Sequence, residues 1–283
     1  MRHLLDLYET DVMRRALLEA VLVGALCGFV GAHVVLRRLP FFTVTIAHAT
    51  FPGVVIAAII GISELTGGLL FATAVVVAIY ATGADRRLDN SAVIGVALAG
   101  SFGIGAMLQS TQDGFTRDLA AVLVGSILTV EREDIVVTIL VAIVIVLVLT
   151  TLHKELVLRA FDVAGSDALG YSRLLDLGLL LVVAATVVTA VPLVGTILSV
   201  ALLSVPAMSA RLVTRRVGTM MAAGAAYGAA SGVIGLTVSA EWDISAGAAI
   251  ALTTAALFAV TWILTTVQAC WLHPVTTTPT PTP

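Results

Sequence analysis

Nine apolar runs divide this chain, and their length constrains the fold more than any other feature. They occupy residues 16–36, 44–61, 67–82, 91–109, 134–152, 174–190, 196–210, 217–239 and 246–268. An α-helix needs about 18 to 20 apolar residues to cross roughly 30 Å of hydrocarbon. There, every backbone N–H and C=O must be satisfied inside the protein, which leaves helices and closed barrels as spanning structures. Barrels show segments of about ten residues with alternating polarity, and these runs do not alternate. Composition agrees: of 283 residues, 59% are hydrophobic and 12% charged, against about 25% charged in a soluble domain. The expected fold is all-α, a polytopic transmembrane helical protein of about nine spans.

Lys and Arg in short loops set the orientation of such a chain. Arg37-Arg38, Arg86-Arg87, Lys154 through Arg173 and Arg211 through Arg216 make basic loops, whereas 61–66, 110–116 and 240–245 are poor in Lys and Arg. A shorter run, Leu119 to Leu128, decides how these fall. If it crossed, the side of every later loop would invert. If it is re-entrant on the outer face, every basic loop lies in the cytoplasm, with the N-terminus outside and the C-terminus inside. Arg14-Arg15 then fall outside, with Asp11 and Glu19 as local ion-pair partners. Residues 1–14 alternate charged and apolar positions and suit a surface amphipathic segment. The transmembrane domain is expected to span 15–270, and 271–283, ending in TTTPTPTP, is expected to be a disordered cytoplasmic tail. No cleavable signal peptide is expected. Cys27 and Cys270 fall in distant segments, so no disulfide is expected. Gly24, Gly28 and Gly31 give the small-residue spacing that lets a neighbouring helix approach closely.

Three features stand out from this apolar background. Thr43 to Gly61, TVTIAHATFPGVVIAAIIG, carries His48 and the helix-breaking pair Pro52-Gly53. Polar groups and broken backbone cost free energy in a membrane, so the segment is expected to line a transport pathway. Pro206 interrupts the seventh run, 196–210, among small residues and suits the same pathway. The loop 153–173, HKELVLRAFDVAGSDALGYSR, is the sizeable cytoplasmic one. In it, Asp162 is placed to cap a short helix that Gly165 ends, and Ser166 to cap a second that stops at Gly170. Such a pair would make a rigid knob for a cytoplasmic partner, or an ordinary connection.

This loop, from Phe161-Asp162 to Ala168-Leu169-Gly170, resembles the coupling region of type II ABC importer permeases. VGTIL at 194–198 and LLSVPAMSARLVT at 202–214 resemble the bacterial zinc and manganese permease family. VVLRR at 34–38, His48-x-x-x-Pro52-Gly53, LVGSILTVEREDI at 123–135 and VIGLTVSAEWDISAGAAI at 233–250 fit it in the same order. The resemblance implies a homodimeric channel in a bacterial plasma membrane, with a cytoplasmic ABC ATPase under each protomer and an extracytoplasmic metal-binding protein outside. Phe161, Asp162, Ala168, Leu169 and Gly170 would couple to the ATPase, and Pro52, Gly53 and Pro206 would serve pathway and gating. The chain has no phosphate-binding GxxxxGK[ST] sequence, so ATP-Mg would be used by the partner subunit. The chain itself would be no enzyme, hold no cofactor, contact membrane lipid and bind no nucleic acid.

The family usually carries Gly-Asp-x-x-x-His, with the carboxylate one turn from the imidazole. Here those positions are Thr43, Val44 and His48: the imidazole remains and the carboxylate is absent. His33 offers a second imidazole. If the first two spans pack antiparallel, His33 and His48 lie at broadly similar depths and would make a transient metal site favouring zinc over manganese. Otherwise the cargo is a chelate of the siderophore or haem kind. The plain structural alternative is that both histidines bond helix backbones or each other. Asp176 is expected to pair with Arg173, and the outer groups Asp113, Asp118, Glu241 and Asp243 to be solvated or to dock a binding protein. A secondary transporter would want internal repeats and intramembrane carboxylates, which the sequence does not offer.

Overall fold

The computed structural model describes residues 10–82, 89–111, 127, 130–171 and 173–272. Among them are α1 (Asp11–Leu36), α2 (Pro40–Ile60), α3 (Glu64–Thr82), α4 (Asn90–Ser110), α5 (Arg132–Thr151), α6 (His153–Phe161), α7 (Val163–Ala168), α8 (Leu174–Val194), α9 (Thr196–Val213), α10 (Val217–Trp242) and α11 (Ala246–Leu272). Nine of these helices are long and apolar enough to cross a membrane, and they match the nine apolar runs. The described residues contain no strand.

Local chemistry sets most of the ends. Pro40 opens α2, where its missing N–H costs nothing. Gly61, at φ 81°, closes it. The Asp89 carboxylate caps α4 by accepting from the N–H groups of Ser91 and Ala92 at 3.1 and 3.3 Å. Gly195 alone, at φ 82°, separates α8 from α9. Two expected breaks do not occur. α2 runs through Pro52-Gly53 and α9 through Pro206. Each proline removes one backbone bond, and the helices packed around it hold the rest of the ladder. Asp11 to Arg14 belong to α1 and continue into the span. The other residues of the expected amphipathic segment up to 9, the run 119–128 apart from Ile127, and the tail from 273 lie outside the described residues.

Shared surroundings show which helix ends meet. Arg37, Tyr80, Ser91 and Arg173 line one cavity, so the α1–α2 turn, the end of α3 and the starts of α4 and α8 share a face. Arg37 also reaches Leu156 of α6, which places the end of α5 there. Glu64, Glu133 and Pro192 line a cavity at the opposite ends. α4 therefore leaves the first face and α5 returns to it.

The core is organised around α1 and α10, which pack most extensively, with α9 against both and α8 beyond it. The reason is in their small residues. A Cβ on Gly24 would run into the Gly228 carbonyl, one on Gly28 into that of Gly224, and one on Gly232 would lie 2.6 Å from the Ala20 oxygen. Three small residues per helix, four apart, bring the two antiparallel backbones into contact, where dispersion and close packing replace the absent hydrophobic drive. α3 and α4 flank α2 at the periphery.

Candidate functional site

Polar chemistry gathers in three regions. The first is the platform of α6 and α7, on the face that Arg37 and Arg173 line. α6 and α7 lie end to end, and Asp162 joins them: its carboxylate accepts from the Gly165 N–H at 2.8 Å. Gly165 does not end that helix. It sits inside α7 with Ser166, and the turn closes at Gly170, φ 81°, where the Gly170 N–H donates to Asp167 and the Tyr171 N–H to Ser166. Phe161, Val163 and Leu169 stand exposed, at 64%, 55% and 69%. The knob therefore shows apolar side chains to whatever covers it.

What fixes the knob to the bundle is ionic. Arg159 of α6 is 4% exposed. It donates to Asp176 at the start of α8 and to Asp167 of α7, both at 2.7 Å. Asp176 also takes Arg37, whose other nitrogen donates to the Leu156 carbonyl at 3.2 Å. One carboxylate thus joins the α1–α2 turn, α6 and α8. The hydrogen bond to Asp167, together with Asp176, raises the Arg159 pKa against the opposing effect of burial. The expected Asp176–Arg173 pairing is replaced by these two distant partners, while Arg173 lies over the Tyr80 ring at 5.9 Å. Arg159 and Arg37 carry this arrangement, and sequence reasoning missed both. The available signal was Leu156 and Arg159, one turn apart on a single buried face of α6. An arginine in a buried stripe requires an anion.

The second region is α2. Its threonines are consumed locally: Thr43, Thr45 and Thr50 donate to the carbonyls of Pro40, Phe41 and Ile46 at 2.6, 3.2 and 3.0 Å. His48 is half-buried and meets the edge of Phe102 in α4, with centroids 5.9 Å apart and planes at 88°. Pro52 has no N–H to give the His48 carbonyl four residues back. One residue thus presents an imidazole and an oxygen without its helical donor. Gly53 has a packing reason as well, since a Cβ there would lie 2.5 Å from the Gly67 oxygen of α3. Pro206 is buried in α9.

His33 is not brought to His48. α1 and α2 do not pack along each other beyond their turn; α8 and α9 pack against both. His33 sits three residues from the end of α1 and His48 eight residues into α2, about 4.5 and 12 Å of helix from the same face. His33 is fully buried, neither ring nitrogen has a partner, and the basic groups facing it are Arg37 and His153. Among the described residues no three of His, Cys, Asp and Glu gather in metal-holding geometry.

At the opposite face, Glu64, Glu133 and Asp134 line a cavity of about 270 Å³ with Thr138, which donates to the fully buried Glu19 at 2.6 Å. Glu19 therefore does not serve Arg14-Arg15 as expected. Arg15 bonds the Asp11 carbonyl at 3.1 Å instead. Asp113 and Asp118 lie outside the described residues, and Glu241 and Asp243 are exposed.

The sequence profile of the ABC 3 transport family matches residues 9–265. The manganese transport system membrane protein MntC of Halalkalibacterium halodurans is 31% identical over 264 residues, 93% of this chain and 90% of that protein. The manganese import system permease protein ScaB of Streptococcus gordonii is 32% identical over 263 residues, 91% of this chain and 93% of the relative. Among solved structures, PsaBC from Streptococcus pneumoniae in complex with Fab superposes with a TM-score of 0.83 at 28% identity, over 92% of this chain and 95% of that one.

Proposed function

The chain belongs to the ABC 3 transport family, and on that premise we propose that it is the membrane permease of an ATP-driven importer of a divalent metal. The observation that carries the cargo is the match along nearly the whole length of relatives named for manganese transport. Two copies would enclose the pathway in a bacterial plasma membrane. The face bearing Arg37, Arg38, Lys154, Arg173, Arg211, Arg215 and Arg216 would be cytoplasmic, by the excess of basic residues there, with the N-terminus outside. An ABC ATPase would cover Phe161, Val163 and Leu169, and its stroke would reach α8 and the α1–α2 turn through Arg159 and Asp176. ATP-Mg would be bound by that subunit. A metal-binding protein would deliver cargo near the acidic outer cavity, and His48 would meet the ion as it passes. Pro52, Gly53 and Pro206 would sit beside that path.

Zinc is the second reading, favoured by one observation: no described carboxylate joins His48, and imidazole without carboxylate suits zinc better than manganese. Uptake of radioactive manganese and zinc by cells with and without this chain tests both. Loss of manganese uptake alone supports the first reading and loss of zinc uptake alone the second. Unchanged manganese and zinc with altered iron content would leave an iron chelate, and unchanged manganese, zinc and iron content would overturn metal import altogether.

A further inference from the structure

Between the coupling-side ends of α2, α3, α4 and α8 lies a cavity of about 370 Å³. Among the described residues, Arg37, Arg38 and Arg173 line it with one carboxylate, Asp176, which Arg37 and Arg159 already share. Arg38 is exposed and has no acidic partner among the described residues. It also holds a left-handed backbone at φ 56°, disfavoured for a side-chain-bearing residue. Arg38 therefore brings to the cavity a charge that no described carboxylate answers, a place for an anionic oxygen. The Arg37 Nε, which also lacks an acceptor, is buried away from it.

The rest of the lining says what carries that oxygen. Phe42, Ile79 and Leu180 make an apolar wall, which a free hydrated anion would not need. Tyr80, under the Arg173 guanidinium, is the kind of aromatic that sits at a membrane–water border. The cavity lies at helix ends, where lipid headgroups are, and α3 and α4 are sparsely buried spans. A zwitterionic headgroup would bring its own cation against three guanidiniums, whereas phosphatidylglycerol brings a phosphate charge and no cation. We propose that this cavity binds the phosphate of an anionic phospholipid from the leaflet on the coupling side, with its acyl chains along Phe42, Ile79 and Leu180. The site requires only that the chain spans a membrane, so it stands or falls separately from the choice of metal. Through Arg37 it touches the ionic network that holds α6 and α7.

Native mass spectrometry of the full-length chain with its partner subunits, taken from bilayers of equal phosphatidylglycerol and phosphatidylcholine, reads the bound lipid. The expected result is retention of phosphatidylglycerol over phosphatidylcholine. Retention falls roughly tenfold in the Arg38→Gln/Arg173→Gln double variant and is unchanged in Arg215→Gln/Arg216→Gln, which removes two exposed charges from the same face. Ser91→Asp puts a carboxylate on the lining at a helix start that favours it, and so lowers retention with every arginine in place should the double variant fail to fold. Millimolar inorganic phosphate leaves the lipid bound. The proposal is overturned by no preference for phosphatidylglycerol, by unchanged retention in Ser91→Asp, or by an equal loss in the Arg215/Arg216 pair. Displacement by inorganic phosphate would assign the cavity to a free anion and overturn the lipid.

Discussion

Two pairs of helices hold this bundle together in opposite ways. Along α1 and α10, glycine faces glycine and the backbones touch, so that no side chain lies between Gly24 and Gly228 or Gly28 and Gly224. Along α2 and α4, contact is made by side chains: the His48 ring on Phe102, the Phe51 and Pro52 rings over Gly105, and the Thr45 hydroxyl reaching the Ile94 carbonyl at 3.4 Å. Backbone contact leaves no rotamer to adjust, so the first pair is expected to behave as one body. Rings and a half-buried imidazole can re-pack, so the second pair is expected to tolerate sliding. Alternating access needs both kinds of contact, a fixed body and an element that shifts against it. His48 sits on the second kind.

The largest test of this contrast is Gly228→Leu. Its side chain has nowhere to go but into the Gly24 carbonyl, and separating α1 from α10 should cost about 3 kcal/mol or more. Recovery of folded protein and its melting temperature should both fall sharply; a normal melting curve would break the contrast at once. Next comes Asp176→Asn, which leaves Arg159 nearly buried with only Asp167 and strips Arg37 of its anion. Breaking such a pair from one side costs about 3 kcal/mol in full burial, and less here because the Asp176 side chain is 31% exposed. ATP-driven uptake should drop more than stability does, since the platform loses its tie to α8. Asp167→Asn, at 58% exposure, should do less on both measures.

His48→Ala should move uptake and spare the fold. The ring is half-buried and its loss should change stability by no more than about 1 kcal/mol. Metal uptake should fall at least tenfold or so, no less than for the outer partners of metal ligands. His33→Leu separates the two histidines. It replaces a buried imidazole lacking partners by an apolar group, so stability should hold or rise while uptake stays. Loss of uptake in His33→Leu with normal uptake in His48→Ala would reverse their roles. The smallest effect belongs to Gly103→Ala in α4, where an added Cβ meets nothing within 4 Å. It should stabilise by about 0.5–1 kcal/mol through helix propensity, read from the melting temperature. A lower melting temperature instead would break the expectation that this face of α4 is open.

How far the sequence carries can be judged at three places. The run 44–61 became Pro40–Ile60, because hydrocarbon thickness dictates length while Pro40 and Gly61 mark the ends. Asp162 was legible as a cap, since a short carboxylate before a helix satisfies free N–H groups wherever it stands. Gly165 was misjudged as a stop: its Cβ position is filled by the Asp162 carboxylate, so the glycine makes room for the cap itself. His48 could be singled out as a polar group without a local partner. Its neighbour Phe102, 54 residues on, could not.

The sequence by itself determined that the chain is a polytopic helical membrane protein, with nine candidate spans among the described residues, and which family it joins. Those properties depend on runs of neighbouring residues against a bilayer of fixed thickness, and on short motifs in order. Only the tertiary structure decided that Arg37 and Asp176, 139 positions apart, share an ion pair, that α1 and α10 lie backbone to backbone, and that His33 and His48 stand apart. Such partners are chosen by how helices pack, and no local pattern records a choice made across the bundle.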